Sequence, residues 1–116
     1  MTAVNLQQKP SMCEGILQSR ISSRFNGMDV AVVKSNGPFA WHSHEETDDF
    51  YFVLQGALDI DMRHDTVQLG PGDCFVVPAG VEHRPIARGE THFLQIEPIC
   101  AQMAGNAATV VARRVI

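Results

Sequence analysis

Residues 37–56 read GPFAWHSHEETDDFYFVLQG, and this stretch decides the fold. It opens on a glycine–proline turn, passes two histidines two positions apart, crosses an acidic bend and runs into an apolar segment that stops at Gly56. Successive side chains of an extended strand point to opposite faces, so His42 and His44 share one face, a few ångströms apart. Trp41 and Ser43 face the other way. Phe39 shares that second face, which predicts packing or a dimer contact for Phe39 and Trp41. A bend through Glu45, Glu46 and Thr47 returns the chain antiparallel. Asp49 is then the first inward residue of the next strand, with Tyr51 and Val53 behind it. Glu45, Glu46 and Asp48 read as a solvated turn, and Asp48 is the substitute should Asp49 not face inward.

Outward from this stretch, turn signals recur about every 8–10 residues, the rhythm of an all-β sandwich or barrel. They are Asn26-Gly27, Asn36-Gly37, Gly56, His64-Asp65, Gly70-Pro71-Gly72, Ala79-Gly80 and Arg88-Gly89. The segments between them predict strands at 16–22, 28–34, 49–54, 57–62, 74–78 and 91–97. In 57–62, Leu58, Ile60 and Met62 occupy one face and Asp59 and Asp61 the other, the pattern of a half-buried strand. Residues 49–54 are apolar on both faces, so a second sheet or a subunit covers the outer one. No 3.6-residue period survives between residues 20 and 98. A short helix is expected within 3–12, capped by Asn5 and interrupted by Pro10. The tail 109–116 has strand composition without a visible partner. The chain divides into an extension (1–15), one barrel (16–98) and a tail (99–116).

Composition narrows the function classes. The 116 residues amount to about one domain. Nine Lys+Arg against thirteen Asp+Glu give a net charge of -4, which disfavours nucleic acid and anionic membranes as partners. No apolar run reaches the roughly 18 residues of a membrane span, and the first residues lack a secretory pattern. Cys13, Cys74 and Cys100 are odd in number and widely spaced, which predicts a reducing, cytoplasmic setting. Cys74 is expected to pack as a small buried hydrophobe. His64 is expected to be exposed, His92 in the core or an interface, and Arg84 on the surface.

A second segment, GDCFVVPAGVEHRP at 72–85, delivers His83 just after a turn built on Pro78 and Gly80. With both segments in view, the chain resembles the cupin superfamily. Gly37, His42, His44, Asp49 and Gly56 match its first motif, with Gly37 one position closer than usual. Gly72, Pro78, Gly80 and His83 match its second. The resemblance is nearest to small single-domain cupins described as mannose-6-phosphate-isomerase-like. It implies a double-stranded β-helix, the jelly-roll barrel, with an interior site for a divalent transition metal held by His42, His44, Asp49 and His83. One or two coordination positions then remain for water or substrate. Such nitrogen and oxygen donors suit Fe, Mn, Ni, Co, Cu or Zn. Two departures stand out: Asp49 replaces the family's glutamate and is one methylene shorter, and Ala87 replaces a structural asparagine.

Tyr51 shares the inward face of Asp49. It is the candidate catalytic residue, able to donate a proton or hydrogen bond to a ligand; the alternative is a core tyrosine with a satisfied hydroxyl. The resemblance implies a metal-dependent enzyme acting on a small organic substrate by isomerase, dioxygenase or decarboxylase chemistry. The alternatives are a non-enzymatic barrel that binds or senses a small molecule or metal, and a structural barrel without metal. A homodimer is expected, with no nucleic-acid or membrane partner. The acidic residues between 45 and 65, opposed locally by Arg63 alone, predict a rim that disfavours anionic substrates.

Overall fold

The computed structural model describes residues 2–8, 18–98 and 114–115. Among the described residues eight strands form one system, antiparallel except for the pairing of β8 with β1: β1 (Gln18–Phe25), β2 (Met28–Pro38), β3 (Asp49–Gln55), β4 (Leu58–Met62), β5 (Asp65–Leu69), β6 (Cys74–Val77), β7 (His83–Pro98) and β8 (Arg114–Val115). The main path runs β5-β4-β7-β2-β1-β8, with β3 joining β7 to β6. The long β7 is the spine: its first part pairs with β4, its last part with β3, and β2 lies along its other edge. This is the jelly-roll barrel that the cupin resemblance implies.

The Asn26-Gly27 pair turns β1 into β2, with φ of 50° and 71°, the two positive values that a tight hairpin matched to strand twist requires. Gly56 has a different reason for being glycine. A Cβ there would stand 2.7 Å from the Glu90 carbonyl oxygen and 2.7 Å from Thr91 Oγ1, so the β3–β4 turn could not seat against β7.

Several expectations change. Residues 5–8 form a turn rather than the start of a helix: Asn5 Oδ1 accepts from the Gln7 and Gln8 amides at 2.9 and 3.1 Å, and no helix occurs among the described residues. The remainder of that expected helix lies outside the described residues. Residues 65–69 add a strand, because the His64-Asp65 turn folds them back onto β4. Arg114–Val115 of the tail pairs parallel with β1. Cys74 is exposed, not buried, since the pleat of β6 turns it outward while Val77 faces in. No described helix is long and apolar enough to cross a membrane.

The barrel interior is divided along its axis. At one end Tyr51, Val53, Leu58, Ile60, Val33 and Phe93 pack into the core. Fully burying a side chain of this size contributes roughly 1.5–3 kcal/mol. Phe39 packs on this cluster, 6.1 Å from the Phe93 ring, instead of sharing an outer face with Trp41. The register explains the change to polar groups at the other end. Cross-strand partners point to the same face, so Val33, Phe93 and Val53 form one inward row. Ala31, Gln95 and Tyr51 form the next, and Asp29 with Glu97 begin a third. Asp49 precedes Phe50, whose partner is Ile96, so it meets that third row from β3.

The outer face of β3 carries a second apolar cluster of Val30, Val32 and Leu94 with Phe52, Leu54, Ile96 and Leu6. The covering layer on that side therefore comes in part from the N-terminal segment of the chain itself.

Candidate metal centre

The segment holding His42 is stitched to the start of β7. The His42 amide donates to the His83 carbonyl at 2.9 Å, and the His83 amide donates back to the His42 carbonyl at 2.8 Å. The His44 carbonyl accepts from the Gly80 amide at 2.7 Å. Asp48 Oδ1 accepts from the Ala79 amide at 2.9 Å. Asp48 thus stays exposed and holds the turn that precedes His83, and Asp49 takes the interior position. These bonds bring two distant segments into one fixed geometry.

Four side chains converge. Asp49 Oδ2 lies 2.8 Å from His83 Nε2 and 3.7 Å from both His42 Nε2 and His44 Nε2. The His42 ring centroid is 4.3 Å from that of His83 and 5.3 Å from that of His44. His42 Nδ1 bonds the Ala40 carbonyl at 3.0 Å, and His83 Nδ1 bonds the Val81 carbonyl at 2.8 Å. A carbonyl only accepts, so both Nδ1 atoms carry protons and each ring turns its Nε2 toward Asp49. Metal-bound imidazoles are oriented in the same way by a carbonyl on the distal nitrogen.

Tyr51, fully buried, donates its hydroxyl to Asp49 Oδ2 at 2.7 Å and lies 3.2 Å from His83 Nε2. Gln95 Nε2 donates to Asp49 Oδ1 at 3.2 Å. Burial by itself would raise the Asp49 pKa, but the His42 and His83 imidazoles and the Tyr51 hydroxyl hold it well below the usual carboxylate range. For His42, burial works to lower the pKa; the Asp49 carboxylate and the Ala40 carbonyl outweigh it and raise the value above 6.5.

Two groups of possible ligands share Asp49: His42, Asp49 and His83, and His44, Asp49 and Glu97. Gln95 and Glu97 did not emerge from the sequence. The apolar alternation of Leu94 and Ile96 equally defines 93, 95 and 97 as the opposite face, but polar residues near a strand end read as solvent-facing. Glu97 is only 1 % exposed.

Around the site, remote arginines oppose the acidic stretch. Arg88 bonds the buried Asp59, and Arg84 bonds Asp61 at 3.1 Å. Arg63 pairs with Glu82 and stacks on Trp41, 3.8 Å from its ring centroid, while Arg84 lies 5.0 Å from the same ring. Arg84 is therefore half-buried and engaged, and Asp59 and Asp61 of the acidic stretch are neutralised. His92 lies on the outer side of β7, bonded to Glu90 at 3.0 Å, and not in the core. Ala87 fills a core position against Gly37 and Leu58, so its small side chain takes part in packing.

The cupin domain family matches residues 29–97, more than half of the chain. The chain belongs to the cupin family. Among solved structures, this cupin is similar to a cupin-2 domain containing protein from Shewanella frigidimarina, with 34% identity and a TM-score of 0.80 over 83% of this chain and 94% of that one. It is also similar to NMB1881 of Neisseria meningitidis, with 28% identity and a TM-score of 0.76 over 84% and 99% of the two chains. It shares 33% identity over 63 residues with YdbB of Bacillus subtilis, 53% of this cupin and 56% of YdbB. The cupin spans about half the length of the curated relatives it matches.

Proposed function

We propose that this cupin is a metal-dependent enzyme, with His42, His44, Asp49 and His83 holding a divalent transition-metal ion and a small organic molecule as substrate. One observation carries the reading: three imidazole Nε2 atoms face a single buried carboxylate oxygen at 2.8–3.7 Å, two of them with their Nδ1 protons anchored on backbone carbonyls. Nitrogen and oxygen donors without a thiolate favour Fe(II), Mn(II), Co(II), Ni(II), Cu(II) or Zn(II).

When bound, such an ion supplies Lewis-acid polarisation of a carbonyl or hydroxyl oxygen, or an acidified water. The chain supplies orientation. Tyr51 and Gln95 hold the two oxygens of Asp49, and the bridge between His42 and His83 sets the angle between the imidazoles. Tyr51 acts in this reading through Asp49, as a positioning residue, since its proton is already directed to the carboxylate. The apolar half of the barrel is filled by Phe93, Leu58 and Ile60, so substrate approaches on the polar end beside His42 and His44. That restricts it to a small molecule, with isomerase, dioxygenase and decarboxylase chemistry all compatible.

We further propose a homodimer formed on the outer face of β3 and β6, where Val76 is 45% exposed, and a reducing compartment suited to the exposed thiol of Cys74.

Elemental mass spectrometry of protein purified from metal-supplemented medium tests the site. Stoichiometric metal that is lost in His42→Ala and His83→Ala is the expected result. Metal-free protein that also fails to rebind micromolar Fe, Mn, Co, Ni, Cu or Zn overturns the reading. Substrate turnover by loaded protein that chelation abolishes separates an enzyme from a barrel that only binds its ligand.

A further inference from the structure

We propose that Glu97 is a fifth protein ligand of the metal, so that the centre is a three-histidine, two-carboxylate set. The inference rests on the metal-centre reading above and adds a residue that lies outside both sequence motifs.

Glu97 stands near the end of β7, on the inward face with Phe93 and Gln95. It is 1 % exposed, and a carboxylate oxygen of Glu97, a ring nitrogen of His44 and a carboxylate oxygen of Asp49 lie within 4.8 Å of one another. That triad and the triad of His42, Asp49 and His83 share Asp49, so Glu97 joins the cluster on its His44 side. Asp29, the cross-strand neighbour of Glu97, is engaged elsewhere, with Arg24 Nε 2.8 Å from its Oδ1. The carboxylate that groups with His44 and Asp49 is Glu97 and not Asp29.

The arrangement answers the shortened residue at position 49. Asp49 reaches in from β3 with one methylene fewer than the glutamate of the motif, and Glu97 reaches in from the adjacent strand with the longer side chain. Charge supports the pairing. Two carboxylates buried close together are costly, and a dication held between them lowers that cost. A dication with two carboxylates and three neutral imidazoles is neutral overall. Five protein donors leave one position open on a six-coordinate ion. Extra oxygen ligation favours ions that accept six ligands, such as Mn(II), Fe(II) and Co(II), over a four-coordinate site.

Cobalt(II) reports both affinity and coordination number, because its visible absorption is weak when six-coordinate and several times stronger when four-coordinate. Chelator-treated protein is titrated with Co(II) in wild type, Glu97→Gln, Glu97→Asp and His83→Ala, with circular dichroism of each variant as the folding control. Wild type is expected to give a weak band. Glu97→Gln is expected to bind about tenfold or more weakly, at least the loss seen for residues that merely support a ligand, and its band is expected to intensify as coordination number falls. Glu97→Asp, which keeps the charge but withdraws the oxygens, is expected to show the same change and serves if Glu97→Gln does not fold. Affinity and spectrum unchanged in a folded Glu97 variant, with His83→Ala impaired, overturn this proposal alone. No binding by wild type, or binding indifferent to His83→Ala, overturns the metal-centre reading as well.

Discussion

His83 Nε2 stands 2.8 Å from Asp49 Oδ2, and both side chains are 1 % exposed. The Nδ1 proton of His83 is committed to the Val81 carbonyl, so the contact joins an imidazole nitrogen to a carboxylate oxygen that already accepts from Tyr51. Such a contact closes through a cation between the two atoms, either a proton on Nε2 or a metal ion. Proton and metal therefore compete for one position.

Removing a member of this pair tests that competition. Asp49→Asn keeps the shape of the side chain but replaces one oxygen with an NH2 donor that repels a cation. We expect metal affinity to fall by more than about a hundredfold, beyond the usual loss for an outer-shell residue. Competition with a chromogenic chelator measures it, and an affinity equal to wild type contradicts direct ligation by Asp49.

Tyr51→Phe isolates the hydrogen bond to Asp49, because the ring keeps its place against Phe93. Metal affinity should drop about tenfold to a hundredfold, and the metal-free protein should lose about 1 kcal/mol for the missing hydrogen bond. Calorimetric titration and urea denaturation read the two effects separately. A substitution that abolishes turnover with metal affinity intact would instead make Tyr51 a proton donor to the ligand.

The pH dependence of stability should change sign with metal. In the metal-free protein the lowered pKa of Asp49 contributes stability above about pH 3.8 that is lost as pH falls through its folded value. The raised pKa of His42 contributes stability that is full below 6.5 and lost as pH rises through its folded value. Metal-free protein should therefore be most stable between these limits and melt lower at pH 8 than at pH 6. Loaded protein needs neutral imidazoles, so it should melt higher at pH 8 and release metal on acidification. Thermal melts with and without chelator give both curves, and a flat metal-free profile from pH 6 to 8 would remove the coupling of His42 to Asp49.

Two glycines separate strain from contact. Gly56 and Gly80 have φ of 89° and 83°, yet only at Gly56 would a Cβ strike backbone, 2.7 Å from the Glu90 oxygen. Gly80→Ala should cost about 1–2 kcal/mol through the left-handed conformation alone. Gly56→Ala adds overpacking of about 1–3 kcal/mol. Urea midpoints measure the difference, and equal losses would mean that the β3–β4 turn moves away from β7 without cost.

Assembly is tested by light scattering. The outer faces of β3 and β6 present Phe50 and Val76 with Ile96 beside a groove of about 400 Å³. A dimer is the expected species, weakened by Val76→Glu, and monomeric wild type at tens of micromolar would contradict it.

Much of this was legible in the chain because the relevant spacings are short. His42 and His44 lie two residues apart, so the pleat alone places them together. Gly72, Pro78, Gly80 and His83 fall along one short strand, its flanking turns and the residue that opens β7, and the apolar alternation of 57–62 marks β4 without knowledge of its neighbours. Asp49 and Tyr51 follow from the same phase once the bend at 45–47 is recognised.

What the chain could not disclose depends on groups brought together from far apart. Glu97 and Gln95 become site residues because β7 runs for 16 residues past both β4 and β3 and carries its last inward positions to Asp49. Asp59 and Asp61 read as a solvent face until Arg88 and Arg84 arrive from β7, and Cys74 reads as core until β6 takes its register on β3. Sequence by itself determined the all-β class, the turns and the shared face of His42 and His44, since these rest on local periodicity and backbone conformation, while the barrel and the place of His83 beside them came from the cupin resemblance. Only the tertiary structure decided that Glu97 and Gln95 stand beside Asp49 and which charges are neutralised, because burial and charge pairing depend on neighbours that strand pairing supplies.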